Sequence, residues 1–533
     1  MLLLAFACAP APEPVTSTVS RVDTDPSADT AGDTGGETAP PDTGPLDTGP
    51  PDTAPPDTGG EPLVLSEQFD VIVVGAGPAG VAAALSAREA GASVLLLDRA
   101  EEPGMGLLTG GQAYAAASRW QLERGIEDSL EAAAADWADI TGADPAAPGV
   151  ADFLANSAGT LEWLEGYGLR VDAVRGERDA GLVPRVHDLD WSAIGDARGL
   201  YTLFDGELRA GVEVTAPVME DGAVVGVVWT DVLTGEVGAS GAGAVVIATG
   251  GFVRDRDEVD RWLPEAAGRR FVFEANYHSD GGGLPFLDAV GAARLAPGQI
   301  GVYVHSMQDP DLAEGESILV LGVEHGILVD AAGERFANET LQRSFDLFDA
   351  LPEGDIYAVL AGAPVGGLLF TRPAYNWTTL GTPEMLYGPN VDAVSDELSY
   401  GASLEEVAAA GGIDFAGLQA TVDTWNATLA AGGVDPYGRN LAAALALDGE
   451  TWAVVRLTPG LAKNFGGVST DADARVLDVG AVPIPGLYAA GEVAGMVIGG
   501  GGGDGFSGSV GACYWGGRVA GAEAAAFSRS GAR

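Results

Sequence analysis

A glycine-rich turn between an apolar strand and an alanine-rich helix constrains the fold of this chain more than any other feature. Residues 71–74 form a short run of valine and isoleucine, residues 75–80 read Gly-Ala-Gly-Pro-Ala-Gly, and residues 81–90 have the composition of a helix. A strand, a tight turn and a helix in this order typically open a doubly wound parallel sheet. We therefore predict an α/β fold with a Rossmann-like first domain.

The glycines of this turn have separate physical roles. Gly75 permits the tight turn, Gly77 lets backbone amides approach a pyrophosphate, and Gly80 allows the helix to pack closely on the strand. The pyrophosphate is expected at the positive end of the helix, beside Pro78 and Ala79. These five residues form the first part of a predicted dinucleotide site.

An acidic residue ends the next predicted strand. Residues 94–97 are a second apolar run, and Asp98 and Arg99 follow it directly. An acid at this place accepts hydrogen bonds from the ribose hydroxyls of an adenosine half, so we assign Asp98 and Arg99 to the same site. The alternative is a glycine-tolerant βαβ unit without a ligand, since the chain contains 79 glycines.

The first residues resemble the signal of a bacterial lipoprotein. Residues 1–7 are apolar and lead through Ala5-Phe6-Ala7 to Cys8, which in a lipobox is lipidated and becomes the mature N-terminus. The apolar run is short and has no basic start. A gene start placed too far downstream explains this, and an ordinary N-terminus with a chance cysteine is the alternative. We interpret residues 1–8 as a lipoprotein-type signal remnant.

Residues 9–65 have the composition of a disordered tether. They consist mainly of Pro, Asp, Thr and Gly, with near-repeats at residues 41–45 and 51–55, and cannot bury a core. A tether after a lipid-bearing cysteine predicts an extracytoplasmic protein anchored in the cell envelope, facing the periplasm or the cell surface. We expect membrane contact through Cys8 alone, because no later segment has enough uninterrupted apolar residues to span a bilayer.

The charge and the cysteines exclude several classes of function. The formal net charge is -50 and Lys463 is the only lysine, which argues against nucleic acids and anionic membrane surfaces as partners. Cys8 and Cys513 are the only cysteines, so the chain has no CxxCH for haem and no paired CxxC for zinc or iron–sulfur. We predict no metal site, and electrons must arrive through the dinucleotide pocket or from a separate partner.

Further glycine-rich segments follow the first βαβ unit. Thr109-Gly110-Gly111 predicts a loop whose backbone lies close to a cofactor, and helical patterns follow at residues 126–138 and 150–166. Residues 211–230 alternate as strands, and a buried strand at 244–247 leads into Thr249 and Gly250. Gly110, Gly111, Thr249 and Gly250 are therefore candidate cofactor contacts.

Several motifs agree, in order, with one known family. They are GAGPAG at 75–80, ATGG at 248–251, GILV at 326–329, GERFANE at 333–339, LEE at 404–406, DPYGR at 435–439, GGV at 466–468 and IPGLYAAGE at 484–492. From about residue 69 to residue 526 the chain resembles the flavoproteins that include fumarate reductases, succinate dehydrogenase flavoprotein subunits, L-aspartate oxidase and 3-ketosteroid Δ1-dehydrogenases. The motifs are specific for this family and for FAD, and they do not specify a substrate.

The resemblance implies FAD as the cofactor and a discontinuous FAD-binding domain, residues 66–300 and 461–533. An α+β capping domain that holds the substrate is implied at residues 301–460. The resemblance also implies that Glu492 reaches the ribityl or ribose region. The last helix, which starts near Ser509 and Val510, is expected to direct its N-terminal amides at the flavin C2 carbonyl.

The resemblance further implies two catalytic residues. In the family's reductases, an arginine four residues after the glutamate of the RFxNE motif delivers a proton, and Arg343 has this place after Glu339. His305 matches by position the first substrate-binding histidine. The alternative for His305 is a satisfied core or loop side chain, and for Arg343 it is a surface salt bridge.

A proton relay that those reductases use is absent from its usual place. Leu319 and Gly322 stand where the family has a glutamate and an arginine. A guanidinium hardly deprotonates unaided. Either Glu324 and His325 have taken over the relay, or it is lost.

The substrate contacts of fumarate reductases are also replaced. Ala462 stands in place of a histidine, and residues 499–503 are all glycine where the family has a substrate-binding arginine. We therefore expect hydride transfer between flavin N5 and an activated carbon–carbon bond of a small molecule other than fumarate, with an external electron donor or acceptor. One alternative is a flavin dehydrogenase or oxidase of a ring or amine substrate that uses oxygen or quinone. A non-catalytic surface flavoprotein is another.

Overall fold

The computed structural model describes most of the chain after the predicted tether. The described residues are 64–108, 111–176, 182–264, 268–275, 277–295, 300–309, 313–341, 343–344, 350–371, 385–387, 396–495, 497 and 506–531. The predicted signal remnant, nearly all of the tether, Gly110 and the glycine run at 499–503 lie outside these residues. The domain boundaries given above stay a prediction.

Strands and helices alternate along the first part of the chain, and strands dominate its middle. The strands are β1 (Gln68–Val74), β2 (Val94–Asp98), β3 (Gln112–Tyr114), β4 (Arg170–Arg175), β5 (Val186–Asp190), β6 (Glu207–Ala210), β7 (Val212–Glu220), β8 (Ala223–Asp231), β9 (Val237–Ile247), β10 (Val272–Phe273), β11 (Arg294–Leu295), β12 (Ile300–Tyr303), β13 (Ser306–Gln308), β14 (Ser317–Leu321), β15 (Ile327–Asp330), β16 (Arg343–Ser344), β17 (Ile356–Ala361), β18 (Leu369–Thr371), β19 (Met385–Tyr387), β20 (Leu398–Gly401), β21 (Trp452–Leu457), β22 (Gly460–Asn464), β23 (Gly467–Val468), β24 (Arg475–Leu477) and β25 (Pro483–Ala489). The α-helices are α1 (Pro78–Glu89), α2 (Met105–Leu108), α3 (Arg119–Glu123), α4 (Leu130–Thr141), α5 (Pro148–Glu165), α6 (Leu200–Leu203), α7 (Arg256–Trp262), α8 (Leu284–Ala289), α9 (Leu404–Gly411), α10 (Phe415–Ala430) and α11 (Val510–Ser530).

An eight-stranded sheet forms the Rossmann-like core. Its parallel strands have the order β25-β9-β1-β2-β6, in which Ile72 lies between Leu95 and Val245. β24 pairs antiparallel with β25, and the hairpin of β7 and β8 adds antiparallel strands beside β9. The predicted α/β fold class is confirmed, and the sheet joins segments from both ends of the globular region.

Small residues let α1 and α11 pack backbone to backbone. A Cβ atom at Gly517 would lie 2.1 Å from the carbonyl oxygen of Ala79, so only glycine permits this approach. Ser86 of α1 donates a hydrogen bond of 2.8 Å to the carbonyl of Arg518 in α11. This contact fixes the last helix against the helix that follows the glycine turn.

Capping residues determine where the helices begin and end, and these positions differ by a few residues from those predicted by the hydrophobic pattern. The helix predicted at 126–138 begins at Leu130, because Ser129 accepts a hydrogen bond from the backbone N–H of Ala132. It ends after Thr141, where Gly142 takes a left-handed conformation with φ 64°. The first helix begins three residues earlier than predicted, with Pro78 in its first turn.

Smaller sheets cover the region between residues 270 and 470. One has the order β10-β22-β12-β16, and in it Tyr303 lies between Gly460 and Arg343. Two others have the orders β13-β14-β18-β19 and β15-β17-β21-β20, and α9 and α10 cover the latter through Val407 and Leu418. Among the described helices, none combines the length and the apolar character that crossing a membrane requires.

A buried ionic cluster fixes the chain just before β16. Glu339 is fully buried and accepts hydrogen bonds of 2.6 and 2.7 Å from Arg335, one of 2.7 Å from Arg439 and one of 3.0 Å from the backbone N–H of Leu328. Asp435 also accepts from Arg335. The two arginines and two carboxylates neutralise one another, as buried charges require. The cluster therefore anchors the segment that leads to Arg343.

Candidate active site

A cavity of 610 Å³ lies at the carboxyl ends of the parallel strands. Gly75 follows β1, Asp98 ends β2, Thr249 follows β9 and Glu492 follows β25, and all four line the cavity. Open α/β sheets bind their ligands at this edge. The cavity is therefore where such a sheet places a nucleotide.

The geometry of the glycine turn leaves space for a ligand on one side only. Gly75 has φ +98°, and a Cβ atom there would lie 2.4 Å from the carbonyl oxygen of Ala248. A Cβ at Gly80 would lie 1.7 Å from the carbonyl oxygen of Gly75, so Gly80 sits beneath the turn. A Cβ at Gly77, by contrast, would meet nothing within 4 Å. Gly77 thus faces the open cavity at the start of α1, where no side chain caps the helix.

Asp98 connects the ends of the first two strands. Its Oδ2 accepts a 2.7 Å hydrogen bond from the backbone N–H of Ala76, and its Oδ1 accepts one of 2.8 Å from the backbone N–H of Ala100. Burial raises the pKa of this carboxyl, against these hydrogen bonds. Arg99 also lines the cavity and pairs with Asp280.

Polar groups of β22 and of the start of α11 are hydrogen-bonded to one another in the cavity wall. The ammonium of Lys463 donates hydrogen bonds of 2.9 Å to Oγ of Ser509 and 3.1 Å to the carbonyl of Phe506. Glu492 accepts a 2.9 Å bond from the backbone N–H of Asn464, and burial raises the pKa of its carboxyl to about 7. No role for Lys463 was predicted, although it is the only lysine of the chain and lies close to the paired glycines at 466–467, which was a usable signal.

Cys513 lies in the first turn of α11 and lines the same cavity. Burial raises the pKa of its thiol to about 12, so the thiol is neutral near pH 7. Its role is that of a small, unreactive wall residue.

The smaller sheet β10-β22-β12-β16 contributes another part of the wall. Tyr303 of β12 and Glu274, which follows β10, both line the cavity. His305 does not. Its side chain is 1% exposed, and its Nε2 lies 3.6 Å from Oε2 of Glu274. The structure therefore places the predicted histidine behind the wall, in contact with a glutamate that the sequence analysis missed.

Arg343 lies one strand away from this wall. In the antiparallel pairing of β16 with β12, the backbone of Arg343 lies opposite that of Tyr303. Leu319 lines the cavity. Glu324 and His325, proposed as a substitute relay, lie in a 3-10 turn with side chains 39% and 53% exposed, and neither is among the described residues that line the cavity.

Comparison with known proteins decides the family. Residues 70–507 match the family described as FAD binding domain. The chain belongs to this FAD-binding family. Urocanate reductase of Eggerthella lenta is 29% identical over 497 residues, which cover 88% of this chain and 76% of the relative. A fumarate reductase (cytochrome) of Shewanella frigidimarina is 30% identical over 480 residues, which cover 86% and 77% of the two chains.

A solved structure of low sequence identity shares the fold. The 3-ketosteroid Δ1-dehydrogenase of Sterolibacterium denitrificans, in complex with 1,4-androstadiene-3,17-dione, superposes with a TM-score of 0.71. The alignment covers 86% of this chain and 100% of the other, at 18% identity. The identity is too low to carry over a substrate.

FAD is the cofactor of this FAD-binding chain, and the cavity fits it. A pyrophosphate fits the open space at Gly77, at the positive end of α1, and the start of α11 with Lys463 offers donors farther along the cavity. The predicted FAD contacts that line the cavity are Gly75, Gly77, Pro78, Ala79, Asp98, Arg99, Gly111, Thr249, Gly250, Glu492, Ser509 and Val510. The individual contacts stay predictions. Gly80 packs closely beneath the glycine turn, where a Cβ atom would clash with the carbonyl oxygen of Gly75. Gly110 lies outside the described residues.

Proposed function

We propose that this chain is an FAD-dependent oxidoreductase that transfers hydride between flavin N5 and an activated carbon–carbon bond, on a substrate other than fumarate. Membership of the FAD-binding family and the two reductases at 29% and 30% identity support this. The observation that carries the proposal is the continuous cavity, which runs from Gly77 to a wall containing Tyr303, the strand partner of Arg343.

FAD, when bound, supplies or accepts the hydride. The chain's own residues position the substrate and handle the proton. Arg343 is the proposed proton donor or substrate anchor, and the buried cluster around Glu339 fixes the segment before it. Because a guanidinium rarely gives up its proton, the proton donor role requires a neighbouring acid to accept and return protons.

The wall composition supports a substrate other than fumarate. Ala462 and Leu319 line the cavity and bring no charge to positions where the reductases hold or protonate a dicarboxylate. Tyr303 and Phe506 add aromatic surface. A ligand with an apolar body and few polar groups matches such a wall.

Anaerobic flavin reoxidation tests the proposed reaction. The purified holoprotein is reduced with dithionite, freed of excess reductant and mixed with unsaturated acids, enones and steroids while flavin absorbance is followed. We expect at least one compound with a conjugated double bond to reoxidise the flavin. Reduction of the oxidised flavin by an amine or ring substrate, followed by reoxidation by quinone, or by oxygen with formation of peroxide, would instead establish the alternative dehydrogenase or oxidase.

Variants of Arg343 test the residue assignment. Arg343→Ala is expected to slow reoxidation by the active compound roughly 10²- to 10⁴-fold, the usual contribution of a positioned acid. Arg343→Lys keeps a charge and serves as the comparison. FAD content is expected to stay unchanged in both. Unchanged rates in Arg343→Ala would remove Arg343 from the mechanism.

We also propose that the mature protein is lipid-anchored through Cys8 and faces away from the cytoplasm, and that it exchanges electrons with an external donor or acceptor. The apolar residues before Cys8 and the tether composition after it support this. Fractionation of cells that express the full chain provides the test. Wild type is expected in the membrane fraction and Cys8→Ser in the soluble or unprocessed fraction, whereas identical fractionation of both would refute the anchor.

A further inference from the structure

Glu274 is a carboxylate in the cavity wall that no predicted FAD contact uses. Its backbone N–H donates a 2.8 Å hydrogen bond to the carbonyl of Leu461 in β22. Its side chain packs against Gly460, where a Cβ atom would lie 2.6 Å from Oε1. The side chain is only 4% exposed and yet lines the cavity. A polar side chain buried to this extent is held in place by its protein neighbours rather than by water.

His305 and Tyr303 support this carboxylate from the protein side. The imidazole Nε2 lies 3.6 Å from Oε2 of Glu274, and the imidazole stacks on the Tyr303 ring with centroids 5.4 Å apart and planes inclined by 21°. Since His305 is itself buried and Tyr303 lines the cavity, the three side chains form one packed unit. The unit holds the carboxylate at a defined place on the wall.

The other charged side chains of the described cavity wall belong to the predicted FAD contacts or stand beside them. Asp98 and Arg99 end or follow β2, and Glu213 lies 3.9 Å from Arg99. Glu492 follows β25, and Lys463 of β22 donates hydrogen bonds to Ser509 and Phe506. Tyr303, Leu319 and Ala462 also line the cavity, and Ala462 follows Leu461, whose carbonyl accepts a hydrogen bond from the backbone N–H of Glu274. In the described part of the wall at β10, β12 and β22, Glu274 is therefore the carboxylate and Lys463 the cation.

A carboxylate in a cavity wall selects among ligands. It binds an N–H or O–H donor or a cation through a charge-assisted hydrogen bond, and it repels a second carboxylate. We propose that Glu274 recognises a hydrogen-bond-donating or cationic group on the substrate, with His305 as its positioning residue. The substrate class is then an unsaturated acid or ketone that carries an imidazole, ammonium or phenol-like group. This inference rests on the proposed function and specifies its substrate.

Binding to the oxidised holoprotein tests recognition separately from turnover. Three probes share an unsaturated acid and differ at the other end: urocanate carries an imidazole, cinnamate an unsubstituted phenyl ring, and fumarate a second carboxylate. Dissociation constants come from the change in flavin absorbance on titration. We expect urocanate to bind at least about tenfold more tightly than cinnamate, and fumarate to bind most weakly.

Two matched variants assign the preference to Glu274. Glu274→Gln keeps the size of the side chain and removes the charge, and it is expected to weaken urocanate binding roughly 10- to 100-fold while leaving cinnamate unchanged. Glu123→Gln removes a charge from an exposed pair with Arg119, away from the described cavity wall, and is expected to change none of the three constants. FAD content and circular dichroism of each variant verify the fold.

The outcomes separate this inference from the proposed reaction. Urocanate that binds no better than cinnamate, or a preference that survives in Glu274→Gln, overturns the inference. An equal loss of reoxidation rate for all probes with unchanged binding also overturns it, because Glu274 would then act in proton transfer. Glu274-dependent binding without flavin reoxidation by any unsaturated compound would uphold recognition and contradict the proposed reaction.

Discussion

The backbone N–H of Ala76, inside the glycine turn, donates a 2.7 Å hydrogen bond to the carboxylate of Asp98 at the end of the neighbouring strand. The acid that the sequence predicts as a ribose acceptor therefore also holds the turn that faces the pyrophosphate. The second carboxylate oxygen of Asp98 accepts a hydrogen bond from the backbone N–H of Ala100. Both halves of the predicted nucleotide contact depend on one half-buried carboxylate.

Asp98→Asn is expected to weaken FAD binding more than it weakens the fold. An amide offers one acceptor oxygen in place of two, so one of the two backbone N–H groups loses a charge-assisted partner. We expect a loss of about 1.5–3 kcal/mol, roughly ten- to hundredfold in the Kd for FAD, measured by fluorescence titration of deflavinated protein. Asp205→Asn, at an exposed pair with Arg88, is the control and should leave the Kd unchanged.

Alanine at Gly77 and at Gly80 is expected to have opposite consequences. Gly77→Ala places its methyl in open space at φ -73°, so folding is retained, but the methyl occupies the volume assigned to the pyrophosphate. Gly80→Ala forces a methyl to within 1.7 Å of the carbonyl oxygen of Gly75 and is expected to damage the fold itself. Urea unfolding together with FAD titration separates the two. A Gly77→Ala protein that binds FAD normally would contradict the assigned site.

Removing the charge of Glu339 is expected to be strongly destabilising. Glu339→Gln leaves the buried guanidinium groups of Arg335 and Arg439 with too little compensating charge. Breaking such a buried pair typically costs about 3–5 kcal/mol, measurable as a lower urea midpoint. Glu123→Gln, at a pair with Arg119 whose side chains are 41% and 56% exposed, is the control and should change stability by less than about 1 kcal/mol. Equal effects of the two variants would argue against the cluster as a structural anchor.

Glu492 is expected to make the stability of the flavin-free protein depend on pH. Burial raises the pKa of its carboxyl from 4.5 to about 7, so the folded chain retains a proton that the unfolded chain has lost between these values. The retained proton therefore stabilises the folded chain fully below about pH 4.5, less and less as the pH rises, and not at all above about pH 7.

The measurement is the unfolding free energy of wild type minus that of Glu492→Gln at several pH values. This difference is expected to decrease by up to about 3 kcal/mol between about pH 4.5 and 7. Subtracting the variant cancels the contributions of other titrating groups. A difference that stays constant across this range would show that Glu492 titrates normally.

The local sequence was sufficient to predict the fold of the segment that opens the cavity, whereas its individual FAD contacts stay predictions. The strand, the glycine turn and Asp98 are close in sequence, and their periodicity and turn chemistry predict both the conformation and the ligand. Prediction failed where a capping residue competed with the hydrophobic pattern, as Ser129 does at the start of α4. The motif series added FAD and the family, which the family comparison confirms.

The wall of the proposed substrate region was decided by the tertiary structure alone. Glu274, Tyr303 and Lys463 belong to three segments far apart in the chain, which meet because β10 pairs with β22 and β22 with β12. The same folding leaves His325 exposed and Glu324 half-buried, outside the described cavity wall. Local sequence patterns report the conformation of neighbouring residues. Pairing between distant strands depends on the burial of a shared core, so only the folded chain shows which charges meet in the cavity.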